Sequence, residues 1–148
     1  MIAVAERVLS ASVKIGEEIT GQIGSGLLVL LGVEQGDTPD DLNYIVRKTA
    51  GLRIFPSEGK MSLSIQDTKG ALLVVSQFTL HGDVRRGFRP DFSRAAQPET
   101  AKKMYEDCIA AFRALGIETH TGRFGAYMRV EREGDGPVTI LLDSRRRL

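Results

Sequence analysis

Residues 72–80, Leu-Leu-Val-Val-Ser-Gln-Phe-Thr-Leu, restrict the possible folds of this chain more than any other stretch. The first four are apolar without alternation and two are β-branched, the pattern of a strand buried on both faces. Such a strand needs a sheet with cover on each side. The run then turns polar at Ser76, Gln77 and Thr79. A buried strand that ends this way delivers hydroxyls, an amide and backbone N–H groups to a rim or cavity. Acyl transfer draws on those groups as nucleophile or as oxyanion donors. The same residue types also end strands by bonding their hydroxyls to nearby backbone, so spacing alone leaves both readings open.

The flanking chain supplies a sheet and its cover. Residues 2–15 alternate around Val4, Val8, Val13 and Ile15 as a long strand, and residues 18–23 form a second after a turn at Gly16-Glu17. Residues 27–33, Leu-Leu-Val-Leu-Leu-Gly-Val, predict another strand buried on both faces. Gly21, Gly24 and Gly26 have hairpin rather than phosphate-loop spacing. A first helix is predicted from Thr38-Pro39 to Ala50. Pro39 suits the first helical position, Asp40 and Asp41 suit the positive end of the helix, and Gly51 stops it. Short extended segments at 53–55 and 61–66 lead into the opening strand. A second helix is predicted over 98–115, with Ala101, Met104, Tyr105, Cys108, Ile109, Phe112 and Leu115 on one buried face. Short strands at 117–121 and 128–132, a turn at Gly134-Asp135-Gly136-Pro137 and a strand at 138–142 complete the pattern. On spacing alone, Gly136-Pro137 is a trans peptide in a hairpin turn.

With 148 residues and no linker or repeat, one domain over 1–143 is expected, followed by a disordered basic tail at 144–148. The net charge of +1 gives no global attraction for nucleic acid, so RNA binding needs a local patch. Residues 81–90 hold one: Arg85, Arg86 and Arg89 with Phe88 among them, forks for phosphate beside a ring that can stack. Cys108 is alone, which excludes an internal disulfide, and its helical position predicts a buried inert thiol. His81 and His120 are too few for a metal centre, so no metal is expected. The start, Met1–Arg7, lacks a basic signal-peptide pattern, and no apolar run reaches the roughly 18 residues of a membrane span. A cytoplasmic protein without a membrane partner is the expectation. A Ser/Thr-His triad is poorly supported, because His81 is only two residues from Thr79 and i, i+2 side chains run parallel rather than meet.

Residues 76–80, Ser-Gln-Phe-Thr-Leu, and 136–139, Gly-Pro-Val-Thr, resemble the two signature motifs of the D-aminoacyl-tRNA deacylases. The similarity extends through Arg7-Val8, residues 26–32, 52–55 and 59–61, Arg89-Pro90 and residues 121–126. Gly134 departs from the family pattern, which has Asn there, and Tyr127 stands where an acidic or amide residue is common.

The resemblance implies an α/β fold with barrel-like β-sheet layers covered on one side by two main helices. It implies hydrolysis of the ester between a D-amino acid and the 3′ end of tRNA, with glycyl-tRNA as a second substrate, as chiral proofreading in translation. It implies a homodimer in which a cis Gly136-Pro137 reaches into the partner's pocket. The implied roles are Thr79 against the ester with Ser76 beside it, backbone N–H groups around Gln77 and Phe78 on the carbonyl, and Gly136 and Pro137 rejecting L-substrates. Arg7 is implied to brace that loop and Met128 to line the pocket, and the implied chemistry needs no metal and no cofactor. Arg85, Arg86 and Arg89 are candidates for contact with the tRNA. The family has been discussed with Thr79 as nucleophile and with the 2′-hydroxyl of the tRNA assisting water. The lack of a base partner for Thr79 favours the second. A non-catalytic RNA-binding module and an ordinary Ser/Thr esterase are the competing readings.

Overall fold

A computed structural model of the chain describes all 148 residues. The strands are β1 (Ile2–Ile15), β2 (Glu18–Ile23), β3 (Gly26–Gly32), β4 (Phe55–Ser57), β5 (Lys60–Leu63), β6 (Ala71–Ser76), β7 (Thr119–Thr121) and β8 (Arg129–Asp143). The α-helices are α1 (Pro39–Gly51), α2 (Ile65–Thr68) and α3 (Pro98–Ala114), and a 3-10 turn spans Phe78–His81.

The expected α/β architecture is present. A mixed six-stranded sheet runs β2-β1-β3-β6-β7, with β8 paired to β1 and β4-β5 as a separate ribbon. β3, β6 and β7 are parallel, and the other pairs are antiparallel. The sheet curls until β2 meets β7, nearly closing a barrel: a methyl group on Gly21 would lie 2.3 Å from the Thr121 carbonyl oxygen. Only glycine permits that approach.

Barrel closure explains the two unbroken apolar strands. Leu27, Val29 and Leu31 of β3, with Leu72 and Val74 of β6, pack outward against Ile45 and Val46 of α1 and Cys108 and Phe112 of α3. Leu28, Leu73 and Val75 point inward among Val8, Val13 and Ile23. Each such side chain contributes about 1.5–3 kcal/mol by leaving water, and truncating Leu72 or Leu73 to alanine costs about 2–5 kcal/mol.

Helix α1 begins as expected, with Pro39 in its first turn. The Asp41 carboxylate accepts from the Thr38 N–H at 2.8 Å and the Thr38 hydroxyl at 2.9 Å, occupying donors at the helix entry. Several expectations differ from the structure. Leu115 caps the end of α3 and is 46% exposed rather than part of its buried face. The strand from 72 ends at Ser76, because the chain coils into the 3-10 turn. Residues 65–68 form the short helix α2, fixed by reciprocal Ser64–Asp67 bonds, in place of the expected extended chain to 66 and turn at 67–70. Residues 129–143 form one long strand rather than two joined by a hairpin, because β1 is long enough to pair with it on both sides of residues 135–138. The Gly134–Pro137 segment is an outward bulge in that strand, and its Gly136-Pro137 peptide is cis, not trans as spacing alone suggested.

The tail is also ordered. Arg147 is 2.6 Å from Glu34 and 2.8 Å from Asp143, and Arg145 is 3.1 Å from Asp37. Arg145 and Arg147 meet a buried acidic cluster that sequence distance concealed. No helix is long and apolar enough to cross a membrane.

Candidate active site

The polar end of β6 opens into an apolar pocket of about 490 Å³. Ser76, Gln77, Phe78 and Thr79 form one wall, Ala95 and Ala96 with the start of α3 a second, and residues 124–128 with Val130 a third. The turn carrying Phe78 and Thr79 is held from below. The Gln77 N–H donates to the Leu31 carbonyl at 2.8 Å, extending the β3–β6 ladder by one bond. Gly32 makes this seating possible, since an added methyl would lie 2.9 Å from the Gln77 carbonyl oxygen and 3.0 Å from His81 Nε2.

That bond corrects one expectation. The Gln77 N–H is committed to Leu31 and cannot also serve an ester carbonyl. The amides left at the turn are those of Phe78 and Thr79, because the first N–H bonded within the turn belongs to Leu80, which donates to the Gln77 carbonyl at 3.3 Å. N–H groups in the first turn of a helix have no internal acceptor, and such pairs suit developing negative charge. The Gln77 side-chain amide donates to the Thr79 hydroxyl oxygen. An amide donor orients a hydroxyl but removes no proton from it.

No general base stands by Thr79. His81 belongs to the same turn but is buried at 2% exposure, turned away from the pocket against Gly32. Burial lowers its pKa below the usual histidine value, an effect that the Gly32 carbonyl and Glu34 oppose in part. His120 lies in β7, 2.7 Å from Glu118, and does not line the pocket. Cys108 is fully buried in α3, where desolvation pushes its thiol up to about 12. No group of three or more His, Cys, Asp and Glu residues is arranged to hold a metal ion.

Met128 lines the pocket wall, and its sulfur fills the space a side chain on Gly122 would take, 2.5 Å from an added methyl. Gly136 and Pro137 are exposed on the β8 bulge and do not line this pocket. Arg7 stands behind them. Its Nε donates to the Asp135 carbonyl at 3.2 Å, and its Nη1 donates to the Ile54 carbonyl at 2.5 Å. Gly134 has open space where a Cβ would go, so the missing Asn side chain leaves no void behind.

Of the basic residues, Arg85 is paired with Asp83, which drives that carboxyl below the ordinary range. Arg86 and Arg89 are exposed, and neither forms an ion pair. Sequence reasoning missed the pocket's second wall. Ala95 and Ala96 carry no chemical signal and are set by pairing: the Ala96 N–H donates to the Val33 carbonyl at 3.0 Å, and Arg94 is 2.7 Å from Glu34. Arg147 bonds the same Glu34 and, as the main influence, lowers its carboxyl to about 2, so the tail is tied to the pocket wall.

The sequence profile of the D-Tyr-tRNA(Tyr) deacylase family matches residues 4–143. The D-aminoacyl-tRNA deacylase of Desulforamulus reducens is 53% identical, covering 99% of each chain. That of Syntrophotalea carbinolica is 56% identical, covering 97% of each. Among solved structures, the c-Myc DNA unwinding element binding protein superposes with a TM-score of 0.91 at 42% identity, covering 97% of this chain and 98% of its own. A probable eukaryotic D-amino acid tRNA deacylase shares the fold, with a TM-score of 0.81 at 17% identity. With its two motifs, its barrel-like fold and its near full-length matches, this chain belongs to the D-Tyr-tRNA(Tyr) deacylase family.

Proposed function

We propose that this chain hydrolyses the ester of D-aminoacyl-tRNA with main-chain donors and the substrate's own 2′-hydroxyl. The observation that carries this reading is the turn at Phe78–Thr79: two amides without internal acceptors beside a hydroxyl that no base can reach. Water adds to the ester carbonyl carbon. The carbonyl oxygen gathers negative charge facing the Phe78 and Thr79 amides, and Ser76 completes that wall. The 2′-hydroxyl relays a proton from the water to the departing 3′-oxygen as the C–O bond breaks. The products are a free D-amino acid and tRNA ending in a 3′-hydroxyl. The vicinal hydroxyl is already held beside the ester, so its use costs little extra ordering.

Selection for the D-enantiomer rests on Gly136 and Pro137 of a second copy of the chain. They project from β8 on the Arg7–Asp135 contact and leave their own pocket without them. A homodimer with each bulge in the partner's pocket, beside Met128, places rigid backbone where an L-side chain would go. A 10⁴-fold preference needs about 5.5 kcal/mol, within the range of one or two unpaired buried polar groups. Glycine has no side chain to clash, so glycyl-tRNA is a substrate too. Aminoacyl-tRNA is a cytoplasmic substrate, and the proofreading takes place there.

The test compares Thr79→Ala with a D-tyrosyl-tRNA ending in 2′-deoxyadenosine, under single-turnover conditions. The variant should lose about ten-fold, and the deoxy substrate on the order of 10²–10⁴-fold. A dead variant with a normally cleaved deoxy substrate would make Thr79 the nucleophile. Full activity from a species that sediments as a monomer would exclude the cross-subunit pocket.

A further inference from the structure

Residues 83–91 form a closed loop. The Asp83 N–H donates to the Asp91 carbonyl at 2.8 Å, and the Asp91 N–H donates back to Asp83 at 2.9 Å. Between these bonds the chain turns at Gly87, with φ at 80°. Arg86, Phe88 and Arg89 all stand in solvent there, and Phe88 is fully exposed. The base of the loop is fixed to the pocket. Phe92 packs edge-on against Phe78 with ring centroids 5.1 Å apart, and it fills the space a side chain on Gly82 would take. Phe78 itself lines the pocket.

Two features at the tip call for a partner. A phenylalanine with no packing gains nothing from the fold, because its apolar surface stays in water. The local acids also have other partners: Asp83 holds Arg85, Glu34 holds Arg94, and the Asp91 carboxylate accepts from the Ser93 N–H at 2.7 Å. Arg86 and Arg89 are left as free cations flanking an exposed ring. Cations that follow a phosphate backbone beside a ring that accepts any base face are the means by which proteins hold single strands.

We propose that Arg86, Phe88 and Arg89 hold the unpaired nucleotides immediately before the aminoacylated adenosine, with Phe88 stacked on a base and the two arginines on phosphates. The proposal rests on the deacylase reading, since an ester in the pocket puts those nucleotides beside Phe78 and Phe92. It removes Arg85 from the set of nucleic-acid contacts, because Asp83 occupies its fork.

The test uses the full chain, Phe88→Ala and the double variant Arg86→Ala/Arg89→Ala, with three probes. These are D-tyrosyl-tRNA, D-tyrosyl-adenosine, and an unacylated RNA oligonucleotide ending in the same four nucleotides as the tRNA, with its DNA counterpart. The ratio of kcat/KM for the tRNA to that for the adenosine ester should fall about ten-fold in each variant, through KM. The double variant should also flatten the dependence of log KM on log salt by about 1.4, for two phosphates of a single strand. An unchanged ratio and slope would overturn the proposal. If the wild-type chain cleaves neither ester, the deacylase reading has failed, and oligonucleotide binding still decides the loop. Weaker RNA binding by both variants supports it, whereas equal binding or a preference for DNA overturns it.

Discussion

Arg7 and Asp135 face each other across the widest gap in the β1–β8 ladder, where pairing jumps from Glu6–Thr139 to Val8–Gly134, and the Arg7 guanidinium spans it, 2.9 Å from the Asp135 carboxylate. The same side chain holds the Ile54 carbonyl, so one buried cation joins the bulge to the chain entering β4. Replacing Arg7 with alanine strands both acceptors, at a cost of about 1–3 kcal/mol for a buried group left unpaired. Urea denaturation should show that loss. The D-to-L ratio in tyrosyl-tRNA hydrolysis should fall with it, because the bulge loses its support. Arg7→Lys keeps the charge without the fork and should recover only part of either quantity.

Gly32→Ala places a methyl against the Gln77 carbonyl and the His81 ring, at the two ends of the turn that carries Phe78 and Thr79. Overpacking of this kind costs about 1–3 kcal/mol, and the turn is the part free to move. We expect at least a ten-fold loss in kcat with a stable fold. Thermal melting run beside single-turnover kinetics separates the two. A variant with unchanged kcat would show that the turn does not depend on this contact.

Acid should destabilise the protein in two separate steps. Burial holds the His81 pKa below its free value of 6.5, so the unfolded chain takes up that proton first. Stability therefore begins to fall as the pH drops through 6.5, and this loss is complete below the lowered folded value. Glu34 titrates from 4.5 in the unfolded chain to about 2 in the fold, chiefly through Arg147. Its contribution is intact above pH 4.5 and disappears as the pH falls toward 2. Unfolding free energies measured across pH should lose the upper step in His81→Asn and show a smaller lower step in Arg147→Ala, where Arg94 still holds Glu34 and other carboxyls, Asp143 among them, are also held low.

Cys108 should be inert. It is fully buried, and its thiol is held near 12, so almost none is thiolate at neutral pH. Ellman's reagent should label the native protein only at the rate of unfolding, and Cys108→Ala should deacylate D-tyrosyl-tRNA as the parent does. Rapid native labelling would mean that α3 separates readily from the sheet.

Where local patterning decides structure, the sequence disclosed it. The apolar runs of β3 and β6 required cover on both faces, and the barrel with its helices provides it. The helical spacing of residues 101–112 announced the buried face of α3. Features set by pairing between distant segments were hidden. Nothing in residues 134–137 reveals that β1 continues past them, so a bulge looked like a hairpin. The Gln77 amide looked free because its partner, Leu31, lies far back in the chain. Arg145 and Arg147 looked like a loose tail for the same reason, since Glu34 and Asp37 are remote in sequence. In the site, the hydroxyl and amide residues were visible, whereas the alanine wall was not.

The unengaged amides of Phe78 and Thr79 bear on how this protein can be lost by mutation. Every residue except proline brings the same N–H to those positions, so codon changes there leave the donors in place. Damaging missense alleles should instead gather at positions that never meet the ester. Gly21, Gly26 and Gly32 belong to that group, since any side chain on them collides with neighbouring backbone. A genetic screen for inactive alleles would then mark the scaffold beneath the pocket more densely than the pocket's own surface.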